Sequence, residues 1–542
     1  MHLRHTRART RLTALVSSLT LLAGSVLTAI TLQVAAAPSA TALNNGLGAT
    51  PQMGWNSWNA HGCNVTEQHI KDAADAIVNL QLKDKGYQYV NIDDCWQDYT
   101  RDAQGNLRSH PTRFPSGIKA LADYVHARGL KLGIYATPGT ATCANFWNGY
   151  PGKLGSLGHE QQDANKFAEW GVDYLKYDWC RANLDGVNRE TAFKAMRDAL
   201  QATSRPIFYS IHDEPQQPIP SWRPATANSW RTTSDIRDNW SSMISRAHLN
   251  QPLASWAGPG AWNDPDMLEV GNGGMTDAEY RTHFSLWAEM AAPLLMGNIL
   301  SSASPATLQI LGNADVIAVD QDPLGKQGTV VSSSSGLVVM SKVLANGDRA
   351  VTLTNETTTT QTISTTAAAV GIGGYPSYTV KDLWTGATST NTSGTFSASV
   401  PSHDTVMYRI TPVGSSGAVT IEAEASGNTI AGAARVSSCT SCSGGSKVGY
   451  IGNGAANYVT INGVNVSAAG SRTLTISYLV SGTRSFYVSV NGGPDQQISV
   501  TGSSWTTPVT TAIPVQLNAG ANSIKFHNDT AYAPDLDKIT VS

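Results

Sequence analysis

Carboxylic acids follow four of the apolar segments in the N-terminal half of this sequence. They are Asp93 and Asp94 in NIDDCW, Asp178 in LKYDWC, Asp235 in WRTTSDI, and Asp264 and Asp266 in WNDPDM. Hydrolysis of a glycosidic bond needs two such groups: one attacks or stabilises a cationic sugar centre, and the other protonates the leaving oxygen. Each aspartate taken alone is equally consistent with a helix N-cap or a strand ion pair. The set predicts a carboxylate site without choosing its members.

A lysine accompanies one of these carboxylates. Lys176 lies two residues before Asp178, and side chains alternate along a strand, so both should project from the same face. A cation there favours the ionised form of Asp178. An ionised carboxylate facing further carboxyl groups is typical of a glycosidase.

Two other hydrolytic chemistries fit the sequence less well. Metal-dependent hydrolysis usually recruits histidine, but no His-x-His or HExxH pattern accompanies these aspartates. A serine hydrolase would carry G-x-S-x-G at a strand-to-helix turn, and none is found there. Of the 14 Trp residues, 12 fall between Trp55 and Trp287. Since flat rings pack on the C–H faces of sugars, this favours a sugar ligand, although Trp170 and Trp287 are expected to pack on barrel helices.

Charge is sparse and balanced. Of the 542 residues only 14% are charged, against about 25% in an average soluble protein, and the formal net charge is −3. This balance argues against nucleic acid or a polyanion as partner, and the chain carries no acidic or basic tail. At roughly 150 residues per domain the length predicts three or four domains.

The N-terminus has the composition of an export signal. Residues 1–12 are basic, an apolar run from Leu12 to Ala37 follows, and three alanines close it. We therefore expect a signal peptide over 1–37 and a secreted, extracellular protein without a membrane partner after cleavage. The alternative is a membrane anchor, because the run is long enough to span. Ser and Thr residues interrupt the run and favour the signal.

Export makes disulfides the expected state of the six cysteines. Six cysteines allow 15 connectivities, and a local bridge between Cys439 and Cys442 in CTSC is the pairing that the spacing itself suggests. The absence of paired C-x-x-C motifs and histidine clusters argues against a structural zinc site.

Strand and helix patterns alternate from residue 43 to 328. Apolar strand patterns occur in eight segments: 53–58, 87–93, 131–136, 172–178, 205–211, near Trp230, near Trp262, and 293–300. Helical spacing separates them; Ser116 is expected to N-cap one helix, and Gly171 to end another. The pattern predicts an α/β fold, a (β/α)8 TIM barrel. A doubly wound sheet is the alternative, but no glycine-rich phosphate loop follows an early strand.

The residue composition and the apolar pattern change after Gly328. Residues 329–413 alternate apolar and polar positions and are rich in Thr, Ser and Val, which predicts a small antiparallel β-sandwich domain. A short joint follows near Pro412, and 418–542 again shows many short strands, as in a β-sandwich.

The residues of the barrel resemble glycoside hydrolase family 27, which contains the retaining α-galactosidases. The resemblance covers about 49–328. It rests on TPQMGWNSWNAHGC, GYQYVNIDDCWQ, FPSGIKALADYVHARGLKLGIYA, GVDYLKYDWC, NSWRTTSDI, WNDPDMLEVGNGGM and AVDQDPLGKQG. It implies a TIM barrel followed by an antiparallel β domain, galactosides or galactose-decorated polysaccharides as substrates, and no cofactor for catalysis.

The resemblance also implies roles for individual residues. Asp178 would be the nucleophile and Asp235 the acid/base, with Asp93 and Asp94 holding the 4- and 6-hydroxyls of galactose. The remaining sugar-binding positions would be Trp55 as an apolar wall, Cys143, Lys176, Arg231 near the 2-hydroxyl, and Asp266. Disulfides Cys63–Cys95 and Cys143–Cys180 are implied in the same way. For these roles Asp235 should be protonated by burial and by the charge of Asp178, at a carboxyl separation of about 5–5.5 Å.

Three departures from the family pattern bear on the choice of sugar. The family usually reads SDAG or ADVG where this chain has residues 136–139, YDNC where it has Trp179, and CEWG where the loop 212–222 begins with His212. The last loop normally helps to recognise the sugar's 2-position. The alternatives are therefore a β-L-arabinopyranosidase, an isomalto-dextranase, or a sugar-binding protein without catalysis; retention of Asp93 and Asp94 favours galactose.

The C-terminal segment resembles a family 35 carbohydrate-binding module. The resemblance rests on EAE near its start and on D-x-D-K-I-T-V at its end. It implies that Glu422, Glu424 and Asp537 ligate a structural Ca²⁺, a hard cation that prefers carboxylate oxygens. The alternative is that these are solvated charges at strand ends.

Overall fold

The N-terminal sheet is an eight-stranded parallel barrel. The computed structural model describes residues 42–213, 218–414, 418–466 and 469–542; the signal predicted over 1–37 lies outside them. The strands are β1 (Met53–Asn56), β2 (Tyr89–Asn91), β3 (Lys131–Ala136), β4 (Tyr174–Asp178), β5 (Phe208–His212), β6 (Ser229–Arg231), β7 (Trp262–Asp264) and β8 (Leu294–Met296). All eight predicted strands are present, in the order β7-β6-β5-β4-β3-β2-β1-β8.

The ring closes between β7 and β8. Leu268, just after β7, forms a parallel bridge with Met296 and donates its N–H to Leu295 O at 2.8 Å. The predicted (β/α)8 barrel is thus confirmed, and the doubly wound sheet was the wrong alternative.

Helices surround the barrel and continue beyond it. They are α1 (Trp58–His61), α2 (Glu67–Asn79), α3 (Gly117–His126), α4 (Cys143–Trp147), α5 (Glu160–Trp170), α6 (Arg189–Gln201), α7 (Trp240–Asn250), α8 (Asp277–Glu289), α9 (Pro305–Leu311) and α10 (Ala314–Asp320). Apolar residues at helical spacing are buried against the strands, as Ile70 and Ile77 are in α2. The left-handed backbone of Gly171 (φ +81°) ends α5, as predicted. Ser116 occupies the N-cap position of α3, as predicted, but its side chain does not cap the helix, because its hydroxyl donates to Glu67 Oε1 at 3.0 Å.

The next segment is antiparallel. Its strands are β9 (Thr329–Ser334), β10 (Leu337–Val343), β11 (Arg349–Asn355), β12 (Gln361–Thr366), β13 (Ser377–Asp382), β14 (Thr388–Asn391), β15 (Thr395–Val400) and β16 (Thr405–Val413). Six form one sheet, β14-β13-β16-β11-β10-β9, and β12 pairs with β15. One face buries Val338, Met340 and Met407 in the same apolar cluster as the barrel helices.

The C-terminal segment forms a separate antiparallel sheet. Its strands are β17 (Val419–Glu422), β18 (Thr429–Ile430), β19 (Arg435–Ser438), β20 (Ser446–Gly449), β21 (Val459–Val466), β22 (Gly470–Val490), β23 (Gln496–Leu517), β24 (Gly520–His527) and β25 (Asp535–Val541). They enclose their own core, in which Ile461, Leu474 and Phe526 are fully buried. Across the described ranges, no helix is both long and apolar enough to cross a membrane.

Candidate active site

The polar side chains of the site stand at the carboxyl ends of the barrel strands. Asp178, His212, Arg231 and Asp264 are the last residues of β4, β5, β6 and β7. The register pairs Asp178 with His212, and Arg231 with Asp264. Since parallel strands present their carboxyl ends at one edge of a barrel, these groups converge there.

Asp178 is buried among groups that favour its charge. It is 7% exposed, and its Oδ2 accepts the hydroxyl of Tyr135 at 3.2 Å. His212 Nδ1 lies 3.3 Å from Asp178 Oδ1. Burial alone would raise the pKa of Asp178, but the contact with His212, followed by the charge of Lys176, holds that pKa below its usual value. This residue is therefore an ionised carboxylate.

The closest partner of Lys176 is Asp93 rather than Asp178. Lys176 Nζ donates to Asp93 Oδ2 at 2.7 Å, and Asn56 Nδ2 donates to the same oxygen at 2.8 Å. Although burial lowers the pKa of Lys176, Asp93 and Asp178 raise it above its usual value. The prediction that Lys176 favours an ionised Asp178 holds as a secondary effect, behind His212.

Asp94 is tied to the start of α4. It is 1% exposed, and its two oxygens accept the N–H groups of Cys95 (2.6 Å) and Ala144 (2.7 Å). Burial raises the pKa of Asp94 to about 7, against the lowering effect of these bonds. Near neutral pH, a carboxyl group with this pKa can donate a hydrogen bond to a sugar hydroxyl or accept one from it.

Three disulfides join the cysteines. They are Cys63–Cys95, Cys143–Cys180 and Cys439–Cys442. The sulfurs of Cys143 and Cys180 lie within 4.8 Å of a carboxylate oxygen of Asp178, which places Cys143 at the site. Because both sulfurs are in a disulfide, this group is not a thiolate metal site.

Asp235 lies at the solvent side of the cluster. Its side chain is 79% exposed, 3.3 Å from Arg231 Nη2 and 3.7 Å from His212 Nε2. The protonated state expected of Asp235 as the acid/base stays a prediction. In this structure its desolvation is outweighed by the side chains of His212, Arg231 and Lys176, which lower its pKa below the usual value. The physical reason is that three basic side chains surround a carboxylate that water still reaches.

Asp266 positions Arg231. Its Oδ2 lies 2.8 Å from Arg231 Nη2 and accepts the N–H of Ile236 at 2.7 Å. Asp266 has φ +102°, an uncommon conformation for a residue with a side chain. The carboxylate thereby fixes the guanidinium and the turn that carries Asp235.

The predicted tryptophan wall is deeply buried. Trp55 is 1% exposed, and its Nε1 donates to Asn298 O at 2.8 Å. Trp170 packs edge-on against Trp96, consistent with the helix packing predicted for it. Trp287 is also buried, and its Nε1 donates to Asp266 O at 2.8 Å, so it holds the backbone of a site residue.

The loop after β5, which departs from the family pattern, begins with a buried acidic residue. Asp213 is fully buried, with Arg189 Nε at 2.8 Å and Arg223 Nη2 at 2.7 Å. Trp179 is 3% exposed, with the Arg189 guanidinium 4.7 Å from its ring. Residues 214–217 of this loop, including Glu214 and Pro215, lie outside the described residues.

Sequence reasoning missed two groups at the site. His212 contacts both carboxylates, and Tyr135 donates to Asp178. The available signal was positional: each stands at or next to the end of a predicted strand, where barrel sites form.

The acidic residues of the C-terminal sheet also cluster. Glu422 Oε2, Glu424 Oε2 and Asp537 Oδ1 are buried, with no hydrogen-bond partner among the described residues. Burial, with repulsion from Glu422, raises the pKa values of Glu424 and Asp537. Three orphaned carboxylate oxygens fit a hard cation such as Ca²⁺.

Comparison with known proteins places this geometry in context. A family model described as "Alpha galactosidase A" matches residues 50–322, and one described as "Alpha galactosidase C-terminal beta sandwich domain" matches 334–410. An α-galactosidase from Oryza sativa subsp. japonica is 52% identical over 371 residues, 68% of this chain and 87% of the rice protein. The crystal structure of α-galactosidase I from Mortierella vinacea is similar (TM-score 0.63, 36% identity, 69% of this chain and 100% of that one). An α-galactosidase from Saccharomyces cerevisiae with raffinose is also similar (TM-score 0.62, 31% identity, 68% and 99%).

Proposed function

Since this chain belongs to the α-galactosidase A, or melibiase, family of glycoside hydrolases, we propose that it releases terminal α-linked galactose from galactosides with retention of configuration. The observation that carries the proposal is the convergence of two carboxylates on His212, with Asp178 Oδ1 at 3.3 Å and Asp235 Oδ1 at 3.7 Å. A pair of carboxyl groups on either side of a bound sugar is what a retaining glycosidase requires.

The proposed reaction begins with attack by Asp178 on the anomeric carbon. Its charge is maintained by His212 and Lys176, and Tyr135 orients one oxygen. Asp235 protonates the leaving oxygen. Because a bound sugar excludes water from this exposed carboxyl group, binding raises its pKa and favours proton uptake. Once the glycosyl-enzyme forms, the charge of Asp178 is lost, and Asp235 can again act as the base toward water.

The galactose itself would be held by buried polar groups. Asp93, Asp94 and Lys176 form one hydrogen-bonded group, and Arg231, fixed by Asp266, is a further donor. These groups act as acceptors and donors for the sugar hydroxyls, and their burial penalises a sugar that leaves one of them unpaired.

A panel of nitrophenyl glycosides tests this function. The native chain should turn over the α-galactoside fastest, and Asp178→Ala should lose about 10³-fold or more in kcat. Proton NMR of the first product should show the α-anomer. Faster release from the β-L-arabinopyranoside would assign that sugar instead, and no turnover of any glycoside would favour a sugar-binding protein.

For the remaining segments we propose export and calcium binding. The basic and apolar composition of 1–37 supports a secretory signal, and the cysteine pairing suits an oxidising compartment. The C-terminal sheet is proposed to be a family 35-like carbohydrate-binding module in which Glu422, Glu424 and Asp537 hold Ca²⁺, a counter-charge for three buried oxygens. Calorimetry of the full chain should show a calcium-dependent rise in the melting temperature of this module. An identical transition in chelator would contradict the calcium site.

A further inference from the structure

Two neighbouring aromatic rings are exposed beside the active site. Phe146 and Trp147, the last residues of α4, are 37% and 59% exposed. Their ring centroids are 5.8 Å apart. The guanidinium of Arg181 lies 5.8 Å from the first ring and 5.6 Å from the second. Exposed apolar groups gathered in this way are typical of a binding surface.

Covalent and hydrogen bonds connect this surface to the proposed catalytic groups. Cys143, at the start of α4, is bonded to Cys180, two residues after Asp178. The N–H of Ala144 donates to Asp94 at 2.7 Å. Because a helix rises about 1.5 Å per residue, Trp147 stands only about 6 Å along α4 from Cys143. The rings therefore lie just outside the galactose-binding residues, at the rim.

The helix that carries the rings is held at both ends. Asn145 Oδ1 accepts the N–H of Thr142 at 2.7 Å, which is one of the two bonds of a capping box, and its Nδ2 donates to Tyr150 O at 2.7 Å. The exposure of Trp147 is thus a property of a fixed helix rather than of a frayed end.

We propose that Phe146, Trp147 and Arg181 form the subsite for the leaving sugar, the residue to which galactose is bonded in the substrate. The occupant is a neutral pyranose: its C–H face packs on the indole, and its hydroxyls accept from the guanidinium. The buried carboxylates around Asp178 take the galactose, so the next ring of an oligosaccharide meets the rim. This inference rests on the proposed galactosidase function and adds the part of the substrate that determines linkage and chain preference.

The test compares two substrates that share galactose and differ in the leaving group. Melibiose leaves a sugar that can reach the subsite, whereas the fluoride ion of α-galactosyl fluoride is too small to contact the rings. In Trp147→Ala the ratio of kcat/KM for melibiose to kcat/KM for the fluoride should fall about tenfold, the loss expected for one aromatic stacking contact. Trp147→Phe, which keeps a ring, should restore most of that ratio.

A variant elsewhere on the surface controls for loss of apolar area alone. Leu249, near the end of α7, is 45% exposed. Leu249→Ala should leave the ratio of the two kcat/KM values at its native value. A ratio within twofold of native in Trp147→Ala would overturn the subsite while leaving the galactosidase function in place. Turnover of neither substrate by the native chain would overturn both.

Discussion

His212 is the residue on which the electrostatics of the two proposed catalytic carboxylates depend. Its Nδ1 faces Asp178 and its Nε2 faces Asp235, so one ring influences both groups. Lys176 and Arg231 complete the basic groups around the pair. A residue in this position affects the reaction through the ionisation of its neighbours.

Replacing His212 should therefore shift the pH dependence of the reaction. In His212→Asn the largest influence that lowers the pKa of Asp178 is lost, and burial then raises that pKa. The acid limb of kcat/KM, which reports ionisation of the nucleophile, should move to higher pH by about one unit. The measurement is a pH profile with nitrophenyl α-galactoside.

A distant histidine provides the matched control. His248 pairs with Glu356 on the surface at 2.7 Å, and His248→Asn should leave the profile unchanged. An acid limb in the same place for His212→Asn and the native chain would show that another group sets the ionisation of Asp178.

Sequence reasoning identified the acidic residues of the site and placed Lys176 beside Asp178, but it did not find the contacts with His212 and Tyr135. The aspartates were found because each follows an apolar strand pattern, which is local information. The contact of Asp178 with His212 depends on the register between β4 and β5, and that of Lys176 with Asp93 on the order of strands around the barrel. Neither contact can be derived from the spacing within one segment.

At the scale of elements, the eight strands were predicted because each is a short apolar run beside a helical pattern. Some of their lengths were overestimated: the segment 87–93 contributes only Tyr89–Asn91 to the sheet, whereas the predicted 131–136 coincides with β3. The exposure of individual side chains was not predictable either: Phe146 and Trp147 are large apolar residues, which are usually buried, yet they lie on the surface. Periodicity gives the order of elements, whereas caps and exposed rings depend on tertiary contacts.

The close approach of β1 and β2 gives a prediction at this scale. A Cβ at Gly54 would lie 2.3 Å from Tyr89 O and 2.7 Å from Tyr89 Cβ, within the pairing of the two strands. Gly54→Ala should therefore separate β1 from β2 and lower the free energy of unfolding by about 3 kcal/mol or more. Denaturant unfolding followed by circular dichroism measures this.

Gly258 is the matched control for that substitution. A Cβ there meets nothing within 4 Å, and its φ is not positive. Gly258→Ala should change the free energy of unfolding by less than about 0.5 kcal/mol. Equal stabilities of the two variants would mean that the strands can separate without cost.

At the scale of the molecule, the barrel and the middle β domain share buried charge as well as apolar core. Lys342 of β10 is 1% exposed, and its Nζ donates to Val319 O (2.6 Å) and Ala288 O (3.2 Å) of the barrel helices. Glu289 and Asp320 are fully buried nearby, and burial raises the pKa of each carboxyl group well above its usual value. This interface favours protonated carboxyl groups.

The stability of the folded chain should consequently fall as the pH rises from about 4.5 to about 8. A carboxyl group with a raised folded-state pKa binds its proton more tightly than in the unfolded chain, so stability is lost as pH rises above its ordinary pKa of 4.5 toward the folded value. Glu289→Gln removes this titrating group. The free energy of unfolding of the variant, relative to that of the native chain, should therefore rise between about pH 5 and about pH 8. Thermal unfolding across this range measures the difference, with Glu169→Gln, whose side chain is 65% exposed, as a control that should not change.

The barrel, the middle β domain and the C-terminal sheet differ in how far they depend on one another. Val338, Met340 and Met407 of the middle domain complete the core of the barrel, whereas the core of β17–β25 is built within 421–541. A chain ending at residue 414 should keep kcat/KM for nitrophenyl α-galactoside within about twofold, because no part of the proposed site or of the shared core is removed. A chain ending at residue 328 should fail to fold, because it exposes barrel residues that the middle domain covers. Expression yield, thermal unfolding and turnover of the two truncations distinguish these outcomes. Loss of galactosidase turnover on removal of β17–β25 alone would instead make that sheet a structural part of the catalytic body.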